Sequence, residues 1–305
     1  MSNDNLLTTK DKQENFKAGY VAILGYPNAG KSTLLNQFLN HKLSIVSRKP
    51  QTTRKKVLGI LTLKKAQIVF IDTPGLLNPK YNLQQIMSNY ITNAVEDADV
   101  LLYLIDASRV KKITSETIQF FSKVDKPVVL AINKIDLVEK KKLLPLISQF
   151  DKEIKFSAVV PISALKDDGL DRLRDEIIRL LPYCPPYFPV NYLTDQQERF
   201  FVSEIIRERI FELYSEEIPY STHVQIEDFK ERPGRKDFIV ANIYVEKNSQ
   251  KGIIIGKEGR ALKKIGQLAR VEIEKFLDRP VYLELFVKVL TDWRHKDSKL
   301  KELGY

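Results

Sequence analysis

The chain has 305 residues, 43% hydrophobic and 29% charged, with a net charge of +10. That length leaves room for two domains of ~100–200 residues each, and the composition excludes a disordered or fibrous protein. The single cysteine, Cys184, excludes an intramolecular disulfide, and no apolar run approaches the ~18 residues of a transmembrane helix. The excess of base favours an anionic partner. Residues 191–305 are close to neutral, however, so any nucleic-acid surface there must come from local clustering.

In chain order, residues 1–16 are polar and read as a flexible N-terminus, without the apolar core of a signal peptide; the expected location is cytoplasmic. The apolar run Tyr20–Leu24 predicts a buried strand, which enters Gly25-Tyr26-Pro27-Asn28-Ala29-Gly30-Lys31-Ser32-Thr33, and a helix follows from Leu34. Arg48–Lys56 is basic, offers little to bury, and predicts a mobile loop. Val57–Leu63 and Gln67–Ile71 predict an antiparallel hairpin, the second strand ending in Asp72-Thr73-Pro74-Gly75. A helix over 82–96, a strand Val100–Asp106, a helix near 114–124 and a strand Pro127–Ile132 follow, the last ending in Asn133-Lys134-Ile135-Asp136. A further helix, the run Val159–Ala164 and a helix near 168–181 complete an α/β pattern with a mostly parallel sheet. Four prolines between Pro182 and Pro189 predict an extended linker over 182–194. Beyond it come a helix at about 195–216, strands His223–Lys230 and Phe238–Glu246, and a glycine-containing connection Gln250–Gly259. A helix to Leu277, a strand Val281–Leu290 and a charged helix over 292–303 end the chain. The expected domains are therefore 17–181 and 195–305.

The segment Gly25–Ser32 fits G-x-x-x-x-G-K-[ST] in the strand–loop–helix setting where backbone N–H groups and a helix N-terminus cradle phosphates. Lys31 would reach the β/γ-phosphates and the Ser32 hydroxyl would ligate Mg²⁺. Asp72 at a strand end suits an acid that holds Mg²⁺ through water, and Gly75 suits close approach of its N–H to the γ-phosphate. Thr53, with Thr52 as the alternative, would complete the Mg²⁺ shell. The Asp136 carboxylate only accepts hydrogen bonds and so matches the N1–H and 2-amino donors of guanine, a pair that adenine lacks. Asn133 would bridge base and phosphate loop, the Lys134 stem would cover the base, and the Ala164 N–H beside Ser163 would meet guanine O6. An ATPase or kinase is disfavoured by Asp136. Downstream, Ile255-Gly256-Lys257-Glu258-Gly259-Arg260 holds a G-x-x-G loop between two helices. It lets a nucleic-acid backbone come close, with Lys257, Arg260, Lys263 and Lys264 supplying charge. The last helix, with Arg294, His295, Lys296, Lys299 and Lys301, would extend that basic face; the histidines form no metal cluster in the sequence pattern.

These motifs, with Gln51-Thr52-Thr53-Arg54 and Ile162-Ser163-Ala164, resemble the Era family over nearly the whole chain. Era proteins are bacterial GTPases of the TrmE-Era-EngA class with a C-terminal KH domain. The resemblance implies a P-loop GTPase domain with a six-stranded, mostly parallel sheet and helices on both faces, then a smaller α+β type II KH domain. It implies GTP hydrolysis, binding of GTP/GDP with Mg²⁺, and a monomer that binds the 3′ end of 16S ribosomal RNA and assists 30S subunit assembly. Peripheral association with the inner membrane is also implied. Leu76 stands where Ras-like enzymes place a water-orienting glutamine, which implies slow intrinsic hydrolysis. Asn28 matches an asparagine that helps hold K⁺ in related GTPases. The alternatives are a related GTPase acting in tRNA modification and an RNA-binding module that uses GTP structurally.

Overall fold

The computed structural model describes residues 15–305 apart from Arg48 and Lys111, so the N-terminal arm up to residue 14 lies outside the described residues. The chain forms two compact units. One comprises Met1–Ser44, Thr53–Leu77 and Asn89–Asp195; the other comprises Ile45–Thr52, Asn78–Ser88 and Gln196–Tyr305.

The first unit holds strands β1 (Lys17–Leu24), β2 (Val57–Thr62), β3 (Ala66–Asp72), β4 (Val100–Asp106), β5 (Val128–Asn133) and β6 (Ala158–Pro161). They form one sheet in the order β2-β3-β1-β4-β5-β6. Only β2 runs antiparallel, paired with β3 through the predicted hairpin. Every residue of β3, β4 and β5 is buried, which is why these strands read as continuous apolar runs. The helices are α1 (Lys31–Leu39), α2 (Asn82–Asp97, which belongs to this unit only from Asn89), α3 (Ser115–Phe121), α4 (Leu143–Glu153) and α5 (Leu170–Leu180). This wiring delivers Gly25, Asp72, Asp106 and Asn133 to strand C-terminal ends, where open α/β sheets bind ligands. The proline-rich stretch is extended, and Gln67 fixes it: its Oε1 accepts from the N–H groups of Tyr187 and Phe188 (2.8 and 3.0 Å), and its Nε2 donates to the Phe188 carbonyl (2.8 Å).

The second unit is built from α6 (Glu198–Leu213), α7 (Glu217–Ser221), β7 (His223–Lys230), β8 (Asp237–Val245), α8 (Asn248–Ile255), α9 (Arg260–Leu277), β9 (Val281–Val289) and α10 (Asp297–Glu302). Its sheet runs β7-β8-β9, with β7 antiparallel and β9 parallel to β8. Ile265, Ala269 and Ile273, one face of α9 at i, i+4 spacing, join Val202, Ile206 and Ile210 of α6 and Ile239, Ala241 and Ile243 of β8 in one core.

Four expectations are corrected. The connection from Gln250 is mostly helical: the Gln250 side chain accepts from the N–H groups of Glu246 and Lys247 (2.9 and 3.1 Å), and this cap starts α8. The helix expected to about 216 ends at Leu213, and Glu216 takes φ +57 before α7. The single helix expected over 292–303 is broken. Asp292 takes φ +52, and Trp293, fully buried, donates Nε1–H to the Ser221 carbonyl (2.9 Å), leaving only the short α10. Of the basic stretch expected to be mobile over 48–56, Arg48 lies outside the described residues, and the rest is anchored rather than loose. Arg54 is only 2% exposed, because its long stem can bury, and within the second unit Lys49 Nζ donates to the carbonyls of Phe211 and Tyr214 at the end of α6. Among the described residues no helix is long and apolar enough to cross a membrane.

Candidate nucleotide site and nucleic-acid groove

The phosphate loop curls between β1 and α1. Gly30 takes φ +104, and a Cβ there would lie 2.2 Å from Asn133 Nδ2, so the approach of Asn133 demands glycine. The N-terminus of α1 has no side-chain cap and no acid in its first turn, which includes Thr33, so its N–H groups remain for an anion. Lys31 is buried and donates to the carbonyls of Gly25 and Tyr26 (3.1 and 3.2 Å). Burial lowers its pKa to about 8 against the opposing pull of Asp72. Ala29 N–H donates to Tyr26 O (3.2 Å), Asn28 sits at φ +65 beside Pro27, and the Tyr26 hydroxyl meets those of Thr114 and Thr117 (3.3 and 3.2 Å).

Three oxygen groups converge next to this loop. Ser32 Oγ donates to Asp72 Oδ2 (3.0 Å), Thr53 Oγ1 donates to the same oxygen (3.3 Å), and the two hydroxyls are 3.0 Å apart. Asp72 is fully buried; burial raises its pKa, partly offset by Lys31. Its Oδ1 is buried without a hydrogen-bond partner. An orphaned carboxylate oxygen beside two hydroxyls is a hard, all-oxygen donor set, and it fits Mg²⁺. Thr53, not Thr52, is brought into this cluster; the Thr52 carbonyl accepts from Arg207 of the second unit. Thr73 Oγ1 donates to Ile23 O (2.7 Å), Leu76 N–H donates to Gly25 O (3.0 Å), and Gly75, which follows Pro74, packs against Pro27. The Leu76 side chain packs on the sheet core.

The base-recognition residues are wired to the same loop. Asn133 Nδ2 donates to Ala29 O (2.8 Å), and its Oδ1 accepts from the N–H groups of Lys134 (2.8 Å) and Ala164 (2.9 Å). The Ala164 N–H is thus already engaged, and a guanine O6 would have to share it with Asn133. Ser163 Oγ donates to Asp136 Oδ1 (2.6 Å), aligning the carboxylate expected to read the base. Lys134 Nζ donates to Asn28 O (2.7 Å) and to Asp106 Oδ2 (2.6 Å). Asp106 has no role in the sequence reading; its one signal is an aspartate closing the strand that pairs with the Asn133 strand.

In the second unit Gly256 takes φ +71 and a Cβ there would lie 2.6 Å from the Ala261 Cβ, so a side chain at the start of the G-x-x-G turn strains the backbone. Ile255 precedes it at the end of α8, and Lys257, Lys263 and Lys264 are exposed. Arg260 is ion-paired with Glu258 (2.6 Å), so its charge is already partly answered. A groove beside the turn is lined by Gly259, Leu262, Lys263, Gly266, Arg270 and Tyr282. Arg270 and Tyr282 are absent from the predicted set, since only tertiary packing brings β9 beside α9. The expected extension along the C-terminal helix loses Arg294, which ion-pairs with the buried Glu246 (2.6 Å). His295 lies with Glu246 and Asp292, a cluster that the sequence pattern did not reveal; Arg294 engages Glu246 Oε2, while Oε1 is buried without a hydrogen-bond partner, 4.0 Å from His295 Nδ1.

Residues 20–134 match the family described as 50S ribosome-binding GTPase, and residues 217–294 match the KH domain family. The chain is 44% identical over 292 residues to GTPase Era of Ruminiclostridium cellulolyticum, covering 95% of this chain and 98% of that protein. It is 47% identical over 295 residues to GTPase Era of Geotalea uraniireducens, covering 96% and 99%. Among solved structures, Era in complex with MgGDPNP and nucleotides 1506-1542 of 16S ribosomal RNA matches with a TM-score of 0.90 at 42% identity, covering 95% of this chain and 99% of that one. A variant of Aquifex aeolicus Era bound to GDP.AlF4- matches with the same score, identity and coverage. Two units with these motifs, aligned end to end with such relatives, settle the lineage: the chain belongs to the Era family of GTPases.

Proposed function

We propose that this chain is a GTP-dependent switch that binds the 3′ end of 16S ribosomal RNA and assists maturation of the 30S subunit, with a GTPase domain over 17–181, a linker over 182–194 and a KH domain over 195–305. The supporting observation is the convergence of Lys31, Ser32, Thr53 and Asp72 at the phosphate loop, in a chain that also carries an accessible G-x-x-G groove. A relative matched over 99% of its own length was solved with MgGDPNP and nucleotides 1506-1542 of 16S ribosomal RNA. Cytoplasmic placement, a monomeric state and peripheral membrane association belong to the same reading and rest on the family alone.

The hydrolytic chemistry follows from the residues. Water attacks the γ-phosphate in line, and the Lys31 ammonium together with the α1 N–H groups stabilises charge that develops on the phosphate oxygens. Ser32, Thr53 and, through water, Asp72 would hold Mg²⁺, which would supply further neutralisation of phosphate charge. Leu76 offers no group to orient the water, so intrinsic turnover is slow. Asn28 would hold K⁺ beside the phosphates, and hydrolysis is then faster in potassium than in sodium buffer; equal rates remove K⁺ from the account.

The test is RNA crosslinking with and without a non-hydrolysable GTP analogue, comparing wild type with Gly256→Asp. The reading expects analogue-dependent crosslinks that the variant loses, while its GTPase activity without RNA is retained. Crosslinks that survive the substitution reject the RNA assignment. The apolar Leu76 also favours a second reading, an RNA-binding module that uses GTP structurally, and absence of phosphate release in a single turnover would select it.

A further inference from the structure

The aspartate that closes β4 has its side chain at the junction of the phosphate loop and the base loop. Asp106 is 6% exposed, so its charge has left bulk water and needs partners. Oδ1 accepts from Ser108 N–H (2.9 Å) and Ser108 Oγ–H (2.6 Å); Oδ2 accepts from Lys134 Nζ (2.6 Å), with Arg109 Nε more distant at 3.7 Å. The same Lys134 ammonium donates to Asn28 O in the phosphate loop (2.7 Å). Both ends of the Lys134–Asn28 contact are special in backbone: Asn28 and Lys134 each sit at φ +65, so each is held in a conformation that non-glycine residues adopt reluctantly. Register explains how the three meet. Asp106 pairs directly with Asn133 across the parallel β4–β5 ladder, and Ala107 N–H donates to Asn133 O (2.9 Å), which fixes the residue before Lys134.

We propose that Asp106 is a positioning residue for guanine-nucleotide retention, clamping Lys134 onto the Asn28 carbonyl so that base loop and phosphate loop form one rigid cradle. It rests on the nucleotide-site reading above and adds a residue that does not contact the nucleotide. Burial alone would raise the Asp106 pKa, but the hydrogen bonds from Lys134 and Ser108 outweigh it and hold the carboxyl below its usual range, so the clamp is charged at neutral pH. Lys134 has three rotatable donors on a flexible four-carbon stem. Without a fixed anion, its ammonium would sample other rotamers, and the stem expected to cover the base would move with it. Because the clamp lies on the base side of the phosphate loop, GTP and GDP should gain from it equally.

The experiment is release of a fluorescent GDP analogue and of a non-hydrolysable fluorescent GTP analogue from the full chain, comparing wild type, Asp106→Asn, Lys134→Met and the double variant. Asp106→Asn is expected to speed release of both analogues about tenfold, the scale of one lost charge-assisted hydrogen bond. The double variant should release no faster than Lys134→Met alone, and the KM for GTP should rise while kcat stays within about twofold. Asp106→Glu, which keeps the charge, should recover most of the retention, and it also serves if Asp106→Asn fails to fold. Unchanged release in Asp106→Asn, or a full additional factor on top of Lys134→Met, overturns the proposal. Asp136→Asn separates the two levels: if it leaves guanine-nucleotide affinity intact, the reading of the site itself fails, whereas its loss beside an inert Asp106→Asn removes only the clamp.

Discussion

In the function proposed for this chain the nucleotide site and the G-x-x-G groove both answer phosphate, and they are built in opposite ways. In the first, Lys31 and Asp72 are buried and Asn133 is held by three hydrogen bonds, while Asp72 Oδ1 is left without a partner beside two hydroxyls. In the second, Lys257, Lys263 and Lys264 project into solvent, and Tyr282 is 52% exposed at the rim. A site that does chemistry on one small anion gains from donors fixed in a low-dielectric pocket. A site that grips a polymer of unknown approach gains from long, hydrated cations and an open aromatic face. The cost also differs, since only the buried site holds charges that are unfavourable until a ligand arrives.

The largest effect that sharpens this contrast is on hydrolysis. Lys31→Met should lower kcat by on the order of 10²–10³, the scale of one preorganised transition-state donor, in a single-turnover phosphate-release assay. A comparable neutral substitution in the groove, Lys263→Met, should leave that rate unchanged and weaken RNA binding only a few-fold, with a shallower salt dependence. If Lys263→Met impaired hydrolysis as strongly as Lys31→Met, the two sites would not be separable.

How far the sequence reveals each site follows from where its residues lie along the chain. The phosphate loop is one continuous run whose spacing encodes its geometry, so Gly25 to Thr33 could be read directly, and the sheet followed from apolar strands too short for helices. Asp106 was passed over because its partner Lys134 is distant in sequence, and only the β4–β5 register joins them. Arg270 and Tyr282 were missed because the packing of α9 beside β9 decides the groove. Charge pattern misled at Arg294, where a basic helix face looked solvated but tertiary structure supplied Glu246, and at Arg54, which is buried. Helix ends failed where a side chain set them, as Trp293 does by burying its ring and donating to Ser221.

A smaller effect is expected at the base. Asp136→Asn should weaken GTP by ~10–100-fold, because the guanine N1–H and 2-amino group lose a charged acceptor worth ~1.5–3 kcal/mol, and should improve binding of xanthosine triphosphate, whose 2-oxo group accepts instead. Isothermal titration of both nucleotides reads this directly.

A further effect is on ligand-free stability. Lys31 has a folded pKa of about 8 against an ordinary 10.5. Between these values the unfolded chain binds more protons than the folded one, so this group makes stability rise with pH across that window and adds no slope well below it. Stability measured by chemical denaturation from pH 8 to 10.5 should therefore climb more steeply in wild type than in Lys31→Met. Equal slopes would mean that the ammonium is not desolvated in the empty pocket.

The most direct test of the central claim is a calorimetric comparison of GTP and ATP binding to the full chain with Mg²⁺. Asp136, exposed and aligned by Ser163, only accepts hydrogen bonds and so predicts that GTP binds at least ~10²-fold more tightly, since ATP offers it no matching pair of donors. Equal affinity for the two would contradict it.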